Sequence, residues 1–325
     1  MQLTKLDESA INKRLSYPLK TKDGRKLVNG NTILSERLIK RLKSSGFNAV
    51  YIQDENTDIE LKETLPENKR AEIAAKLQEV YDNIANNQYN DIEFARFIRN
   101  NILPEIKNEP ISIPINETMD KNDILHHSLN VCLLSVRTAL TMGLTQDKVE
   151  AVARAALLHE IGKILKKKSR NNALKKKSYE EVGYSFLKNK HSSVLVYTTV
   201  RYHNETLDEK GPFHLSKDNQ HELTKIISLC NYYENLLREA KLLPHECFEK
   251  VQALVNFKFD PDVFKAFRKS LYIYPVGLPV KLSNGNEGIV AMQNKAYPLR
   301  PIIKADGIFY NLLENLSLFI EKVTI

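Results

Sequence analysis

A histidine, a glutamate and a lysine stand close together near the middle of the chain. The stretch LLHEIGK places His159 beside Glu160, with Lys163 about one helical turn later. Imidazole and carboxylate together suit a divalent first-row metal ion, and a lysine ammonium can hold a phosphate oxygen. The stretch therefore indicates a metal site that handles phosphate. A buried core histidine beside a solvated glutamate and lysine is the alternative interpretation of the same letters.

The His-Glu pair lies near the C-terminal end of a predicted buried helix. From Val149 to Ile164 the apolar residues recur at helical spacing, which predicts one buried helix. Neighbouring helical positions point about 100° apart. His159 and Glu160 can therefore reach one ion only if that ion lies near the end of the helix.

Two other predicted helices bring further histidines to their ends. His127 begins a helical run to Leu140, which Gly143 should stop, and a later helix ends near His203. A fourth apolar run covers residues 226–237. Histidines at three helix termini are what a helical bundle uses to build a metal centre.

In this order and spacing, the segments resemble the HD superfamily of metal-dependent phosphohydrolases. They are most similar to its HD-GYP branch, which hydrolyses cyclic di-GMP. HHSLNV is similar to the first-histidine helix, LLHEIGK to LLHDIGK, HNETLDEKGPF to HHExxDGxGYP, and CNYYENLL to ADxYDAL. The C-terminal segment that begins YPVGLPVKL resembles the small β appendage of these proteins. The resemblance implies a mostly α fold, an HD-type helical bundle with a small N-terminal α/β domain and a small C-terminal β appendage.

The resemblance also implies the roles of particular residues. Lys163 takes the place of the family's catalytic lysine. Contacts with the substrate are expected from the positions of Arg201, Glu205 and Asp208. The residues that would form a partial metal site are His127, His159, Glu160 and His203.

Four ligand positions of the family pattern carry a different residue. The aspartate of the HD pair is Glu160, one family histidine is Tyr179, the second histidine of the HH pair is Asn204, and the late aspartate is Asn231. The Gly-Tyr-Pro signature has become Gly211-Pro212-Phe213. A neutral amide is a poor ligand for a cation, and tyrosine is protonated at neutral pH. Phosphodiester hydrolysis commonly uses two metal ions, and we expect no such two-metal site here.

The expected cofactor is accordingly either none or one weakly held divalent metal (Mn²⁺, Fe²⁺ or Mg²⁺). Our first hypothesis is a degenerate HD-GYP-like protein that acts as a regulatory, nucleotide-sensing or partner-binding module, with weak or no phosphodiesterase activity. The alternative is an active metal-dependent cyclic di-GMP phosphodiesterase or phosphohydrolase that uses a variant His-Glu site. The expected partner is a cyclic dinucleotide or another protein.

The composition of the chain bears on whether nucleic acids or membranes are partners. The 325 residues carry 48 − 40 = +8 net charge, which permits an anionic partner without naming one. Two lysine clusters, at 166–168 and 175–177, lack the interleaved aromatic residues of a nucleic-acid surface. We therefore expect no nucleic-acid partner, and we favour a solvated loop over a lid for this segment. Three single cysteines, a polar N-terminus and the lack of a membrane-length apolar run predict a cytoplasmic protein without a membrane partner.

The chain divides into four predicted parts. These are an α/β N-terminal domain (1–70), a linking and packing helix (71–104), the HD-GYP-like helical domain (105–272), and a β appendage with a terminal helix (273–325). The amphipathic pattern from Arg70 to Ile102 predicts one long helix, which would pack on the bundle or, as the alternative, form a homodimer.

Local signals predict details of the two ends. Ser35 should cap a helix that continues through Leu42, and turn signals occur at Asp23-Gly24. Residues 275–305 predict a β-hairpin and a third strand, and residues 311–323 predict a final short helix.

Overall fold

The computed structural model describes residues 1–21, 26–53, 64–65, 67–106, 109–113 and 123–325. The predicted turn at Asp23-Gly24 lies outside the described residues. Helices dominate the centre of the chain, and strands lie at both ends. The predicted fold class, a mostly α protein with small β-containing ends, is confirmed.

The N-terminal unit combines short strands with one helix. Its elements are β1 (Gln2–Lys5), β2 (Leu19–Lys20), β3 (Lys26–Val28), α1 (Glu36–Ser44) and β4 (Ala49–Ile52). Strand β1 pairs antiparallel with β4, with Leu3 opposite Tyr51. The Ser35 hydroxyl accepts a hydrogen bond from the backbone N–H of Leu38, so the predicted helix cap is present.

The segment predicted as one long helix is two helices, α2 (Glu67–Ala85) and α3 (Asp91–Asn101). The prediction of a single helix from Arg70 to Ile102 was therefore wrong. Asn87 adopts the left-handed conformation with φ of 62°, which ends α2. The side chain of Asn90 then accepts hydrogen bonds from two backbone N–H groups and begins α3. Asparagine suits both places because its short side chain bonds to nearby backbone.

The helical domain is built around one almost fully buried helix, α4, which packs against α5, α10 and α12. Gly143 follows α4 with φ of +74° and stops it, as predicted. The helices of this domain are α4 (Ile124–Thr141), α5 (Gln146–Leu158), α6 (Ile161–Lys168), α7 (Asn172–Lys176), α8 (Tyr179–Asn189), α9 (Val194–Tyr202), α10 (Glu222–Arg238), α11 (Pro244–Gln252) and α12 (Pro261–Phe267).

The predicted helix from Val149 to Ile164 is interrupted at the His-Glu pair. Helix α5 ends at Leu158, Glu160 leaves helical geometry with ψ of 6°, and α6 starts at Ile161. Helix α6 then packs backbone to backbone on the start of α8, since a Cβ atom at Gly162 would lie 1.8 Å from the carbonyl oxygen of Tyr179. The chain must change direction to make this contact, and so a continuous helix was the wrong prediction.

The C-terminal strands form one sheet in the order β8-β7-β6-β5-β9. The strands are β5 (Pro279–Leu282), β6 (Glu287–Met292), β7 (Ile302–Ala305), β8 (Ile308–Asn311) and β9 (Ile320–Val323). The predicted hairpin and third strand are confirmed. The final helix was wrong, because residues 320–323 pair with the open edge of β5. Leu316 and Phe319, which a packed helix would bury, are 69% and 55% exposed.

The two β-containing ends of the chain share a small apolar core. Met1, Leu3 and Tyr51 of the N-terminal unit pack with Leu278 and Val280 of the C-terminal sheet. The backbone N–H of Leu3 also donates to the carbonyl of Gly277 at 2.8 Å. In the part of the chain that the structure describes, no helix has the length and apolar character needed to cross a membrane.

Candidate metal centre

Two histidines occupy the same position at the ends of two helices. His159 follows the last residue of α5, and His203 follows the last residue of α9. Each donates its Nδ1–H to the carbonyl three residues earlier, Ala156 at 2.7 Å and Val200 at 2.8 Å. The lone pair of each ring is therefore on Nε2, as a metal ligand requires. The end of a helix fixes both rings without help from another element.

A third histidine, His127, lies in the first turn of α4 and is held differently. Its Nδ1–H donates to Oε2 of the buried Glu234 on α10. Glu234 also pairs with Arg238 and accepts from Asn130 at 3.3 Å. The sequence analysis missed Glu234, although a signal exists. It lies three residues after Asn231, and therefore on the same face of α10.

Three ligand atoms converge at this point. The Nε2 atoms of His127 and His159 are 3.1 Å apart, and His127 Nε2 is 3.8 Å from Oε1 of Glu160. Both distances are below about 4.2 Å, the largest separation of two ligands that each lie about 2.1 Å from one ion. The three groups lie within 4.8 Å of one another and are all buried. The predicted reach of His159 and Glu160 to one point near a helix end is present.

Two polar features of this cluster fit a cation. The Nδ1 atoms of both histidines bond to neighbouring acceptors, which leaves their two Nε2 atoms, 3.1 Å apart, as the ring nitrogens available to one cation. In addition, Oε2 of Glu160 is buried and has no hydrogen-bond partner among the described residues. The residues His127, His159 and Glu160 therefore fit one divalent metal ion.

The protonation of the cluster also favours metal binding. Burial, together with His203 and His127, holds the pKa of His159 well below its usual range, so the ring is neutral at pH 7. Burial raises the pKa of Glu160, but attraction to His159, His127 and Lys163 outweighs it and brings that pKa to about 2. The neutral imidazole of His159 and the ionised carboxylate of Glu160 are the forms that bind divalent metals.

Lys163 lies at the edge of the cluster. Its ammonium donates to Oε1 of Glu160 and sits 4.7 Å from the centre of the Tyr179 ring. Its side chain is 40% exposed, whereas that of Glu160 is 4% exposed. Lys163 is thus a cation that borders both the buried ligands and solvent.

Three of the four ligand positions that depart from the family pattern form a hydrogen-bonded series that begins at His203. Nε2 of His203 lies 3.3 Å from the Tyr179 hydroxyl, which accepts from Nδ2 of Asn204 at 2.6 Å. Nδ2 of Asn204 also donates to Glu180 at 2.9 Å, and its Oδ1 accepts from Asn231 at 3.1 Å. Burial raises the pKa of Tyr179, with help from Glu180 and Glu160, so the hydroxyl stays protonated and can donate to His203.

The hydrogen-bonded series continues along α10. Oδ1 of Asn231 accepts from Asn235 at 3.1 Å, and Oδ1 of Asn235 accepts from Arg238 at 2.7 Å. We call Tyr179, Asn204, Asn231 and Asn235 the amide chain. Its members use their donors and acceptors on one another and on flanking residues. The amide chain is therefore a satisfied neutral network where the family pattern has ligands.

Acidic residues near the site have separate tasks. Glu180 is buried at the start of α8 beside the amide chain and was missed by the sequence analysis. Asp123 pairs with His126 at 2.7 Å. Glu205 accepts backbone hydrogen bonds from Phe213 and Leu215, both at 2.8 Å, and so shapes the loop after α9.

The other residues expected at the substrate lie around the same loop. Asp208 accepts from the Thr206 hydroxyl at 2.5 Å. Arg201 pairs with Glu181 at 2.9 Å, and its guanidinium lies 5.1 Å from the centre of the Phe213 ring. Contacts of Arg201, Glu205 and Asp208 with a substrate stay a prediction.

Comparison with known proteins bears on the residues that form this centre. The family model of the HD domain matches residues 124–236, which include all three histidines and the amide chain. Residues 124–236 therefore form an HD domain. A cyclic di-GMP phosphodiesterase of Pseudomonas aeruginosa is 30% identical to this HD protein over 195 residues. The match covers 55% of the chain but 46% of the relative, so the chain spans about half the length of that protein.

Two solved structures are similar to parts of the chain. An HDG"Y"P protein from Bdellovibrio bacteriovorus matches 82% of the chain and 98% of its own, with 19% identity and a TM-score of 0.47. The HD domain of the L. monocytogenes phosphodiesterase PgpH, solved in complex with cyclic di-AMP, matches 45% of the chain and 88% of its own, with 15% identity and a TM-score of 0.35. Neither superposition is close enough to assign a ligand to this HD protein.

Proposed function

We propose that this HD protein is a cyclic-dinucleotide-binding regulatory module with weak or no phosphodiesterase activity. The observation that supports the proposal most directly is the amide chain. It places neutral groups that hydrogen-bond to one another at three positions where the HD-GYP pattern has a histidine, a histidine and an aspartate. A second divalent ion beside His203 would have to be held without those ligands.

The energetics of the amide chain oppose a second ion. To turn Asn204 or Asn231 toward a metal, the protein must break the hydrogen bonds at 2.6, 2.9 and 3.1 Å that fix these amides. Each such bond is worth about 0.5–1.5 kcal/mol net, and a buried group left without a partner costs about 1–3 kcal/mol. Coordination of a metal by a neutral amide oxygen would compensate for little of this free-energy cost, because the oxygen carries no full negative charge.

The cluster of His127, His159 and Glu160 would hold one ion. When bound, a divalent ion at such a site polarises a phosphate oxygen and acidifies water. Lys163 would hold a phosphate oxygen from the solvent side, where its ammonium is already oriented by Glu160 and by the Tyr179 ring. This arrangement supports recognition of a phosphodiester more strongly than its hydrolysis.

A one-metal phosphohydrolase is the second candidate function. It is favoured by the buried Oε2 of Glu160, which has no hydrogen-bond partner among the described residues, and by the Nε2 atoms of His127 and His159, which lie 3.1 Å apart. One ion with Lys163 would be sufficient for slow turnover of a phosphate ester. The two candidates differ in whether a substrate is converted.

The test measures metal content, binding and turnover on the same protein. We expect at most one Mn²⁺ per chain by elemental analysis, and cyclic di-GMP binding by calorimetry in both EDTA and Mn²⁺. Lys163→Ala should weaken that binding about tenfold, because it removes one charged hydrogen bond. Lys167→Ala, an exposed lysine on the same helix, is the matched control and should change little.

His159→Ala separates the two candidates. We expect it to abolish Mn²⁺ binding and to leave cyclic di-GMP binding within a few fold. Conversion of cyclic di-GMP with Mn²⁺ that disappears in His159→Ala would establish the one-metal enzyme instead. Two bound ions per chain, or no binding of cyclic di-GMP, would contradict the proposal.

A further inference from the structure

A cavity of about 490 Å³ lies between the C-terminal end of α2 and helices α6, α7 and α8. None of its described lining residues is a ligand of the metal centre or a member of the amide chain. Its volume falls within the range of about 300–1,000 Å³ that is typical of small-molecule sites. The cavity is thus large enough for a ligand of its own.

The interior of this cavity is apolar. Ile84 and Val182 are buried, and Leu165, Leu174 and Phe186 are half-buried and turn apolar surface into the cavity. When an apolar ligand displaces water from the apolar surface of a cavity, the free energy of the complex is lowered. The interior therefore favours a hydrocarbon group.

The rim of the cavity is basic. Lys168 and Lys177 line it and are exposed, and none of the described lining residues is acidic. Three further exposed lysines lie nearby, Lys167 on α6 and Lys175 and Lys176 on α7. Two cations beside an apolar interior are complementary to a ligand with an anionic group at the end of an apolar body.

The basic rim is held in place by structure. The segment that the sequence analysis favoured as a solvated loop contains the end of α6 and the short helix α7. Lys166 donates its ammonium hydrogen to the carbonyl of Lys177, which joins the two lysine clusters. The side chain of Asn171 caps α7 through two backbone N–H groups. The lysines of the rim therefore sit on ordered backbone.

We propose that this cavity binds a single-chain amphiphilic anion, with its hydrocarbon chain inside and its carboxylate or phosphate at Lys168 and Lys177. This site is separate from the metal centre and does not depend on the proposed function. Each half of the ligand meets the complementary half of the cavity. A neutral hydrocarbon would leave the lysines unused, and a cationic amphiphile would be repelled by them.

The first experiment measures affinity by calorimetry on the full chain, with monomeric dodecanoate below its micelle concentration as the probe. We expect binding of dodecanoate, weaker binding of dodecanol and none of dodecyltrimethylammonium. The double variant Lys168→Ala/Lys177→Ala should weaken dodecanoate binding about tenfold or more. The matched control is Lys167→Ala/Lys176→Ala, which removes the same charge from the same helices outside the lining. Equal effects of the two double variants would overturn the proposal.

The second experiment locates the probe. The chain contains no tryptophan, so Phe186→Trp places a unique fluorophore in the cavity wall. We expect its emission to shift to shorter wavelength with dodecanoate, at the same concentrations that give calorimetric heat. Binding heat without any change in this emission would overturn the site, and so would binding to phosphatidylglycerol vesicles without binding of free dodecanoate.

Discussion

The variant Asn231→Asp tests whether the amide chain prevents a second divalent ion from binding beside His203. Asn231 donates to Oδ1 of Asn204 and accepts from Asn235, both at 3.1 Å. An aspartate has no donor, so one carboxylate oxygen would face the Asn204 oxygen. Asn204 cannot reverse its amide to help, because its Nδ2 already donates to Tyr179 and Glu180.

The expected cost follows from these contacts. One lost hydrogen bond and one buried charge facing an acceptor should together lower the free energy of unfolding by about 2–3 kcal/mol in EDTA. The new carboxylate also restores the family ligand at this position and should bind a cation. At a Mn²⁺ concentration 100 times the dissociation constant, binding to the native state adds about 2.7 kcal/mol. Mn²⁺ should therefore stabilise Asn231→Asp by more than it stabilises the unsubstituted protein.

Urea unfolding followed by circular dichroism, with EDTA and with Mn²⁺, measures both effects. Asn100→Asp is the control, since it makes the same substitution at an exposed position of α3 and should change stability by less than about 0.5 kcal/mol. If Asn231→Asp in EDTA were as stable as the unsubstituted protein, the amide chain would not be the satisfied network described above. If its gain from Mn²⁺ equalled that of the unsubstituted protein, the position would not be a ligand site.

Three further outcomes are expected. Gly211→Ala should lower the free energy of unfolding in urea by about 1–3 kcal/mol, because a Cβ there would lie 2.6 Å from the Glu205 carboxylate that holds the loop; unchanged stability would contradict the contact. Asp91→Ala should lower the free energy of unfolding by about 1–3 kcal/mol in the same assay, because it leaves the buried Arg154 with Glu150, at 4.0 Å, as its remaining ion-pair partner among the described residues. Burial lowers the pKa of His245 in the folded protein below the value of 6.5 that it has in the unfolded chain. As the pH falls through 6.5, the unfolded state therefore takes up a proton before the folded state does. The free energy of unfolding should then fall as the pH drops from about 7 to 5. His245→Gln should reduce that slope, by at most about 1.4 kcal/mol per pH unit; an identical slope in the variant would refute this assignment.

Spacing along the chain was sufficient to place His203 at the end of a helix, but it did not predict that α5 ends at Leu158. His159 and His203 each follow the last helical residue, where an imidazole bonds to the carbonyl of its own last turn. That arrangement depends on neighbouring residues alone, so a local pattern can predict it. The Ser35 cap and the Gly143 stop were predicted for the same reason, because both are interactions within one helix end.

Helix breaks and the last strand depended on distant contacts. The interruption after Leu158 depends on how α6 meets α8, and the strand at residues 320–323 exists because β5 offers it an open edge. The periodicity of apolar residues was similar to that of a helix in both places. Tertiary packing overrides such a local preference.

The sequence by itself determined which residues are available to the centre: three histidines, one glutamate and one lysine, with a tyrosine and two asparagines where the family has ligands. Only the tertiary structure decided which of those groups hydrogen-bond to one another. It joined His127 to Glu234 across 107 positions of the chain, and it bonded the tyrosine and the asparagines to one another. The physical reason is that a hydrogen bond between two buried side chains depends on their separation and orientation in space, and the order of residues along a chain fixes neither for partners on different helices.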